Sequence, residues 1–457
     1  MIGIGRMKKE IGLLIQSIIY ILMGIQILFG LAWLVTNMGC IPAFEESTEL
    51  LAMSKSLVID EYTGMLYPLC LRVVMGLGQK VGVSVLYLLQ LAIAGVAYGY
   101  FMCKVMKQQH WGKLLFFVGF VLSIPGILQC HMAVLPYSLA SSVFVILLAD
   151  IRNLWQKDIM LTKKDMVRLA VWWIFSAQLC PDYGWLSGIV LGISIVYYML
   201  LHKQPAVKLL AVFLSGALCI AVLNAAIQTE GSMGKIQKSM GAVLIQRFVW
   251  PHFASFHTFW SPEITELWEM QEMTVFASFP EQVIYEFGPQ VEAAYGRERA
   301  NEIYWDMAVT AIGLDTKNVL QNMLVDTVSY ICPPLTMKIQ LEGMGVSHSG
   351  WNYGRMKEYT PMLTKYYVNY ALNVWVYLLV LCGVLGCLSW KKKTEEKVSC
   401  TEQVLKRNRI GLYPVLTVLL IDLWYMMCTG GMQDYKKVIV NSILWAFLIV
   451  KISAGKR

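Results

Sequence analysis

"IGLLIQSIIYILMGIQILFGLAWLVT", residues 11–36, contains no charged side chain over 26 positions. A hydrocarbon core of ~30 Å needs about 20 apolar residues per helix, so this run is long enough to cross a bilayer. The basic "GRMKKE" before it is followed by nothing resembling a small-residue cleavage site, so it reads as a retained span and not as a removed signal peptide. Working outward, similar runs recur along the chain. Hydrophobic residues make up 57% and charged residues 15% of the 457, and mean hydropathy is +0.55. Backbone groups in hydrocarbon must be satisfied within their own segment, so helices are the expected element. The sequence describes an all-α polytopic membrane protein.

Hydrophobic patterning predicts about ten transmembrane helices, at roughly 11–36, 81–104, 113–130, 133–151, 166–180, 184–202, 208–227, 367–389, 410–428 and 437–453. No internal repeat, low-complexity tract or lipidation box interrupts them. Lys/Arg bias orients the set. With both termini cytoplasmic, the inner segments and their flanking helix ends hold 23 of the 38 lysines and arginines. Twenty of the 30 acids fall instead in residues 37–80 and 228–366. The net charge of +8 is then cytoplasmic anchoring at a plasma membrane, with no nucleic-acid partner. Eleven cysteines show no CxxC and no metal-ligand spacing. Cys40, Cys70 and Cys332 could pair in the outer segments, but the odd, unpatterned set reads better as small apolar side chains.

Three parts follow: a seven-span membrane module, 1–227; an extracytoplasmic loop domain, 228–366, between spans seven and eight; and a three-span C-terminal region, 367–457. Chemistry at the outer face has two places to occur, the first outer loop (37–80) and the large loop. The first contains "EESTELLAMSKSLVIDEYTGMLYPLCLRV", residues 45–73, with Glu45, Glu46, Glu49, Asp60 and Glu61 against Lys55 and Arg72. The second carries aromatic amphipathic pieces such as "GAVLIQRFVWPHFASFHTFW", suited to lying in a bilayer interface.

A long first span, an acidic outer loop ending in Tyr67-Pro68, and a further outer loop after the seventh span resemble the GT-C superfamily. These are integral-membrane glycosyltransferases that take sugars from lipid-linked donors. The resemblance covers the topology of the first seven spans and about thirty residues of motif. In that family the first outer loop carries an acidic residue at the active site, and "EESTELLAMSKSL" sets Glu46 on that position. "GMLYPLCLRV" corresponds to the end of the same loop. Three departures are evident. Glu stands for the usual Asp, Leu50 stands where Tyr is common, and the second short outer turn, "LQCHMAVLPYSLASS", lacks an acid and offers His131 and Tyr137.

The resemblance implies transfer of a sugar from a polyprenyl-phosphate donor to an extracytoplasmic glycan, lipid or protein acceptor. The chemistry asks for a base to take the acceptor's proton and for cations on the departing phosphate. A carboxylate near the membrane surface suits the first role. Glu46 is the leading candidate, with Asp60 and Glu61 as the others. Neighbours Glu45 and Glu49 are close enough in a helix to raise its pKa. Arg247, Arg355 and Lys365 are candidates for the phosphate, and a guanidinium's planar fork matches phosphate oxygens. Arg247 lies among aromatic residues and could equally snorkel to headgroups. Trp351 and Tyr353, in "HSGWNYGRMKEYTP", are candidates for the sugar, although such residues also belong to any interfacial belt.

No cofactor is firmly implied. A divalent metal is conceivable at His252, His257 and His348, but no pair has the i,i+4 spacing of a helical ligand set. Asp182 reads as a helix cap at an outer turn, and Asp422 is an intramembrane acid without an assigned role. Membrane lipids are the remaining expected partners. Two other classes fit the same composition: a multipass transporter, which would need broken helices and polar groups at mid-depth, and a non-catalytic envelope scaffold.

Overall fold

The computed structural model describes residues 2–38, 45–56, 64–105, 110–155, 162–202, 207–227, 265, 290–332, 360–395, 415–421, 423 and 435–453. Every regular element among them is helical. The long first run forms α1 (Ile2–Asn37). The segment after it contributes α2 (Glu45–Ser56) and α3 (Leu66–Met75), followed by α4 (Gln79–Val105). Then come α5 (Trp111–Leu122), α6 (Pro125–His131), α7 (Tyr137–Ile151), α8 (Lys163–Leu179), α9 (Pro181–His202) and α10 (Val207–Ile227). The large loop supplies α11 (Arg297–Leu314) and α12 (Thr316–Ile331). The C-terminal region supplies α13 (Thr360–Glu395) and α14 (Tyr435–Ser453).

Among the described residues four helices are long and apolar enough to cross a membrane: Glu10–Asn37, Val81–Lys104, Pro181–Leu200 and Leu363–Leu385. A fifth is counted if Trp111–Leu122 and Pro125–His131 are taken as one span bent by 85°. Shorter apolar helices occupy Tyr137–Ile151, Leu210–Leu223 and Ile439–Ile452, where longer spans were expected. Most of the expected span 410–428 lies outside the described residues.

The break between α5 and α6 departs from the continuous span expected over 113–130. Its cause is local. Pro125 is the first residue of α6, and Ile124 before it is extended, at φ −70° and ψ 128°. A residue preceding proline is pushed out of the helical region, and proline cannot donate to the carbonyl four residues back. The chain turns, and the segment that follows is enclosed. Residues 123–145 are all buried, so "LQCHMAVLPYSLASS" is no solvated outer turn.

α7 forms the centre of the bundle, packed against α4 and α8. α1 pairs with α13, and α14 covers α6. Phe447 of α14 stacks on Phe101 at 4.5 Å and meets Tyr98 edge-on at 5.8 Å. Outward faces stay apolar, with Leu28, Val96 and Leu200 more than half exposed. In a bilayer such faces meet lipid, which is as apolar as they are.

Candidate outer-face site

The acidic helix α2 begins with glutamates in its first turn and ends with Lys55 in its last, charges that suit the helix dipole. Ser47, Leu50 and Ser54, at i, i+3 and i+7, are buried to 1%, 5% and 2% exposure and make its inner stripe. Ser47 Oγ donates to the carbonyl oxygen of Val134 at 3.0 Å. Val134 lies in the turn joining α6 to α7, so the hydrogen bond fastens α2 to the enclosed segment.

The other end of the first outer loop is fixed by contact. A Cβ on Gly64 would lie 2.0 Å from the carbonyl oxygen of Gln178 and 2.4 Å from its carbon. Only glycine lets the chain approach the last turn of α8 so closely. α3 follows directly, burying Tyr67, Pro68, Leu71 and Val74 against α2, α4 and α8. Its carboxyl end meets α4 closely, since a Cβ on Gly82 would stand 2.7 Å from the oxygen of Val74. The acidic segment is therefore held at two points, Ser47 on the α6–α7 turn and Gly64 on the last turn of α8.

This geometry locates several expected residues along the chain. Glu46 is the second residue of α2, immediately before the buried Ser47; its side chain lies outside the described residues. Asp60 and Glu61 lie outside them as well, four and three positions before Gly64. Asp182 is exposed in the first turn of α9, beside the same α8–α9 turn. It is the second residue of that helix and not its cap, Pro181 being the first. Lys365 is exposed on α13, next to Thr364, whose hydroxyl accepts from Trp33 Nε1 of α1 at 3.1 Å. Arg247, Trp351, Tyr353 and Arg355 lie outside the described residues, as do His252, His257, His348 and Asp422. Among the described residues no group of three or more His, Cys, Asp or Glu is gathered as a metal would need. Cys70 is a free thiol.

Beneath the turn lies a polar seam that sequence reasoning missed in all but His131. The break at Pro125 and the α6–α7 turn leave backbone carbonyls outside the helical ladder, and side chains from neighbouring helices reach them. Gln26 Nε2 of α1 donates to the oxygen of Ser123 at 2.8 Å, and the hydroxyl of Tyr367 of α13 donates to the same oxygen. Gln90 Nε2 of α4 donates to the oxygen of Ala133 at 2.9 Å. His131 is itself fully buried, with Nε2 2.8 Å from Tyr98 OH and Nδ1 2.7 Å from Ser138 Oγ. In the neutral imidazole one of these nitrogens donates and the other accepts. Such re-satisfaction makes a broken helix tolerable at membrane depth. The sequence signal was "SIPGILQCH", where Pro125 and Gly126 punctuate an apolar run.

Depth follows from α4. At 1.5 Å rise per residue, Tyr98 lies about 9 Å and Gln90 about 21 Å along the axis from Lys104. The seam between them is near mid-depth for a helix ending at Lys104.

Comparison with protein-family models, with curated proteins and with solved structures gave no match.

Proposed function

We propose that the chain is an outer-face glycosyltransferase with a GT-C-like arrangement of about ten spans, using a polyprenyl-phosphate sugar as donor. The observation that supports this reading is the two-point fixing of the acidic loop, through Ser47 on Val134 and Gly64 on Gln178. A carboxylate acting as base must be held within hydrogen-bond reach of the proton it takes. A loop fastened at two points to the helical core can do that, whereas a loop whose acids merely solvate it needs no such anchorage.

In this reading Glu46 removes the acceptor's hydroxyl proton as that oxygen attacks the anomeric carbon. The bond from that carbon to the donor phosphate breaks, and polyprenyl phosphate leaves with the bonding electrons. Arg247, Arg355 and Lys365 are the groups to hold the phosphate, and Trp351 and Tyr353 those to hold the sugar. The acceptor is a glycan, lipid or protein on the outer side of a plasma membrane, with both termini cytoplasmic. No step requires a cofactor.

The test is Glu46→Gln, assayed in membranes with a lipid-linked sugar donor beside Asp60→Asn and Glu61→Gln. Turnover of Glu46→Gln falls roughly 10²–10⁴-fold, the usual worth of positioned acid–base catalysis, with little change in donor binding. Full turnover in Glu46→Gln with loss in Asp60→Asn moves the base fourteen residues along the loop. Full turnover in all three variants ends the enzyme reading.

One observation favours a second reading, a transporter. Discontinuous helices with polar groups near mid-depth are where transporters place their sites, and the α5–α6 break carries His131 in such a position. Solute uptake into proteoliposomes that is lost in Tyr98→Phe, without sugar transfer, would favour it.

A further inference from the structure

The basic end of the bundle holds a cluster that sugar transfer does not use. Asp150 of α7 has a side chain only 1% exposed. Its Oδ1 accepts from Tyr100 OH at 2.6 Å and Lys104 Nζ at 2.8 Å. Its Oδ2 accepts from Trp172 Nε1 at 3.2 Å and pairs with Arg168 Nε at 2.7 Å. One carboxylate thus meets two cations, from helices on either side of α7. Both cations remain partly open, Lys104 at 31% and Arg168 at 38% exposure. Asp165 takes a second contact from Arg168, Nη2 to Oδ1 at 3.0 Å, while capping α8 with Thr162. That hydroxyl, chiefly, holds the Asp165 carboxyl below its usual range. Arg152 donates its guanidinium to the backbone oxygen of Lys104, and Lys163 and Lys164 are exposed at the start of α8. Lys104 and Arg168 thus pair with the two carboxylates, Arg152 is bonded to the backbone of Lys104, and Lys163 and Lys164 directly precede Asp165 in the chain.

The same residues meet across α7. α7 is buried along its whole length except at Ile146, which is half-buried one turn before Asp150. Tyr100 and Lys104 on α4 stand on one side, and Arg168 and Trp172 on α8 on the other. Along α8, positions 164, 168, 171 and 175 share a stripe. Val171 and Phe175 are 39% and 45% exposed, so apolar surface continues from the cations towards mid-bilayer.

We propose that this cationic surface binds the phosphate headgroup of an anionic glycerophospholipid from the leaflet on the Lys104 side, with an acyl chain along Val171 and Phe175. A helix staple needs one cation for one carboxylate. The surplus positive charge here lies at headgroup level, flanked by a tyrosine and a tryptophan, the residues that favour the bilayer interface. Juxtamembrane basic groups attract anionic lipid there. The inference is independent of what the outer face does.

The experiment uses the full chain in phosphatidylcholine nanodiscs doped with phosphatidylglycerol, with bound lipid counted by native mass spectrometry. The wild type retains phosphatidylglycerol over phosphatidylcholine by on the order of tenfold. Lys104→Gln and the charge-balanced Asp150→Asn/Arg168→Gln variant lose that preference. A second measurement does not depend on the variants folding. Brominated phosphatidylglycerol quenches a fluorescence component of the wild type that is absent in Trp172→Phe, and brominated phosphatidylcholine does not. Equal retention of the two lipids by the wild type, unchanged preference in both charge variants, or equal quenching by both lipids would each overturn the proposal and leave the cluster a helix staple.

Discussion

His131 shows what a single buried polar residue contributes at this depth. Both its ring nitrogens are engaged, by Tyr98 and Ser138, and the residue is fully buried. His131→Ala removes packing volume and takes one partner from each of two buried hydroxyls. The expected cost is about 2–4 kcal/mol, combining a large-to-small change with lost buried hydrogen bonds. Thermal unfolding in detergent measures it, and a change below about 0.5 kcal/mol would mean the hydroxyls find other partners. Arg247 is a different kind of residue, tested by substrate and not by stability. If it grips the donor phosphate, Arg247→Lys weakens donor binding markedly, because a point charge cannot replace a bidentate fork. Wild-type affinity in the Lys variant returns Arg247 to a headgroup contact.

At the scale of elements, the placement of α2 and α3 depends on small residues at close approaches. Gly64 is the sharpest case. A methyl group there meets the backbone of Gln178 at 2.0 Å, and backbone cannot swing aside as a flexible side chain does. Gly64→Ala should push the first outer loop off the α8–α9 turn, at a cost typical of overpacking, about 1–3 kcal/mol. If the proposed site depends on that anchorage, turnover falls further than stability does. Comparing melting temperature with activity in one preparation separates the two effects. Gly184, whose added Cβ would stand 2.6 Å from that of Ala177, provides a matched variant within the α8–α9 pair. Gly184→Ala should destabilise without a separate loss of turnover.

For the whole molecule, charge asymmetry gives the sharpest expectation. Cysteines engineered into 228–366 should react with an impermeant reagent added from outside, and those in 391–409 should not. Labelling of both from one side would overturn the orientation and the outer-face reading with it. The orientation is unaffected by the α5–α6 break. Whether α5 to α7 crosses the bilayer twice or enters and leaves on one side, both its ends stay on the same face.

Helical class, the repeated long apolar helices and the separation of acids from bases were legible in the sequence, because each depends on local composition. Hydrocarbon demands helices whatever the tertiary contacts, and α1, α4, α9 and α13 appear where 11–36, 81–104, 184–202 and 367–389 were expected. The acidic loop was also legible as a cluster. Its attachment was not, because Ser47 and Val134 are 87 residues apart and nothing near either one names the other. The enclosed segment 123–145 was misread for a related reason. Pro125 was visible, but whether a proline makes a surface turn or an internal break depends on which side chains reach the freed carbonyls. Gln26, Gln90 and Tyr367 come from three other helices, and only the folded chain brings them together.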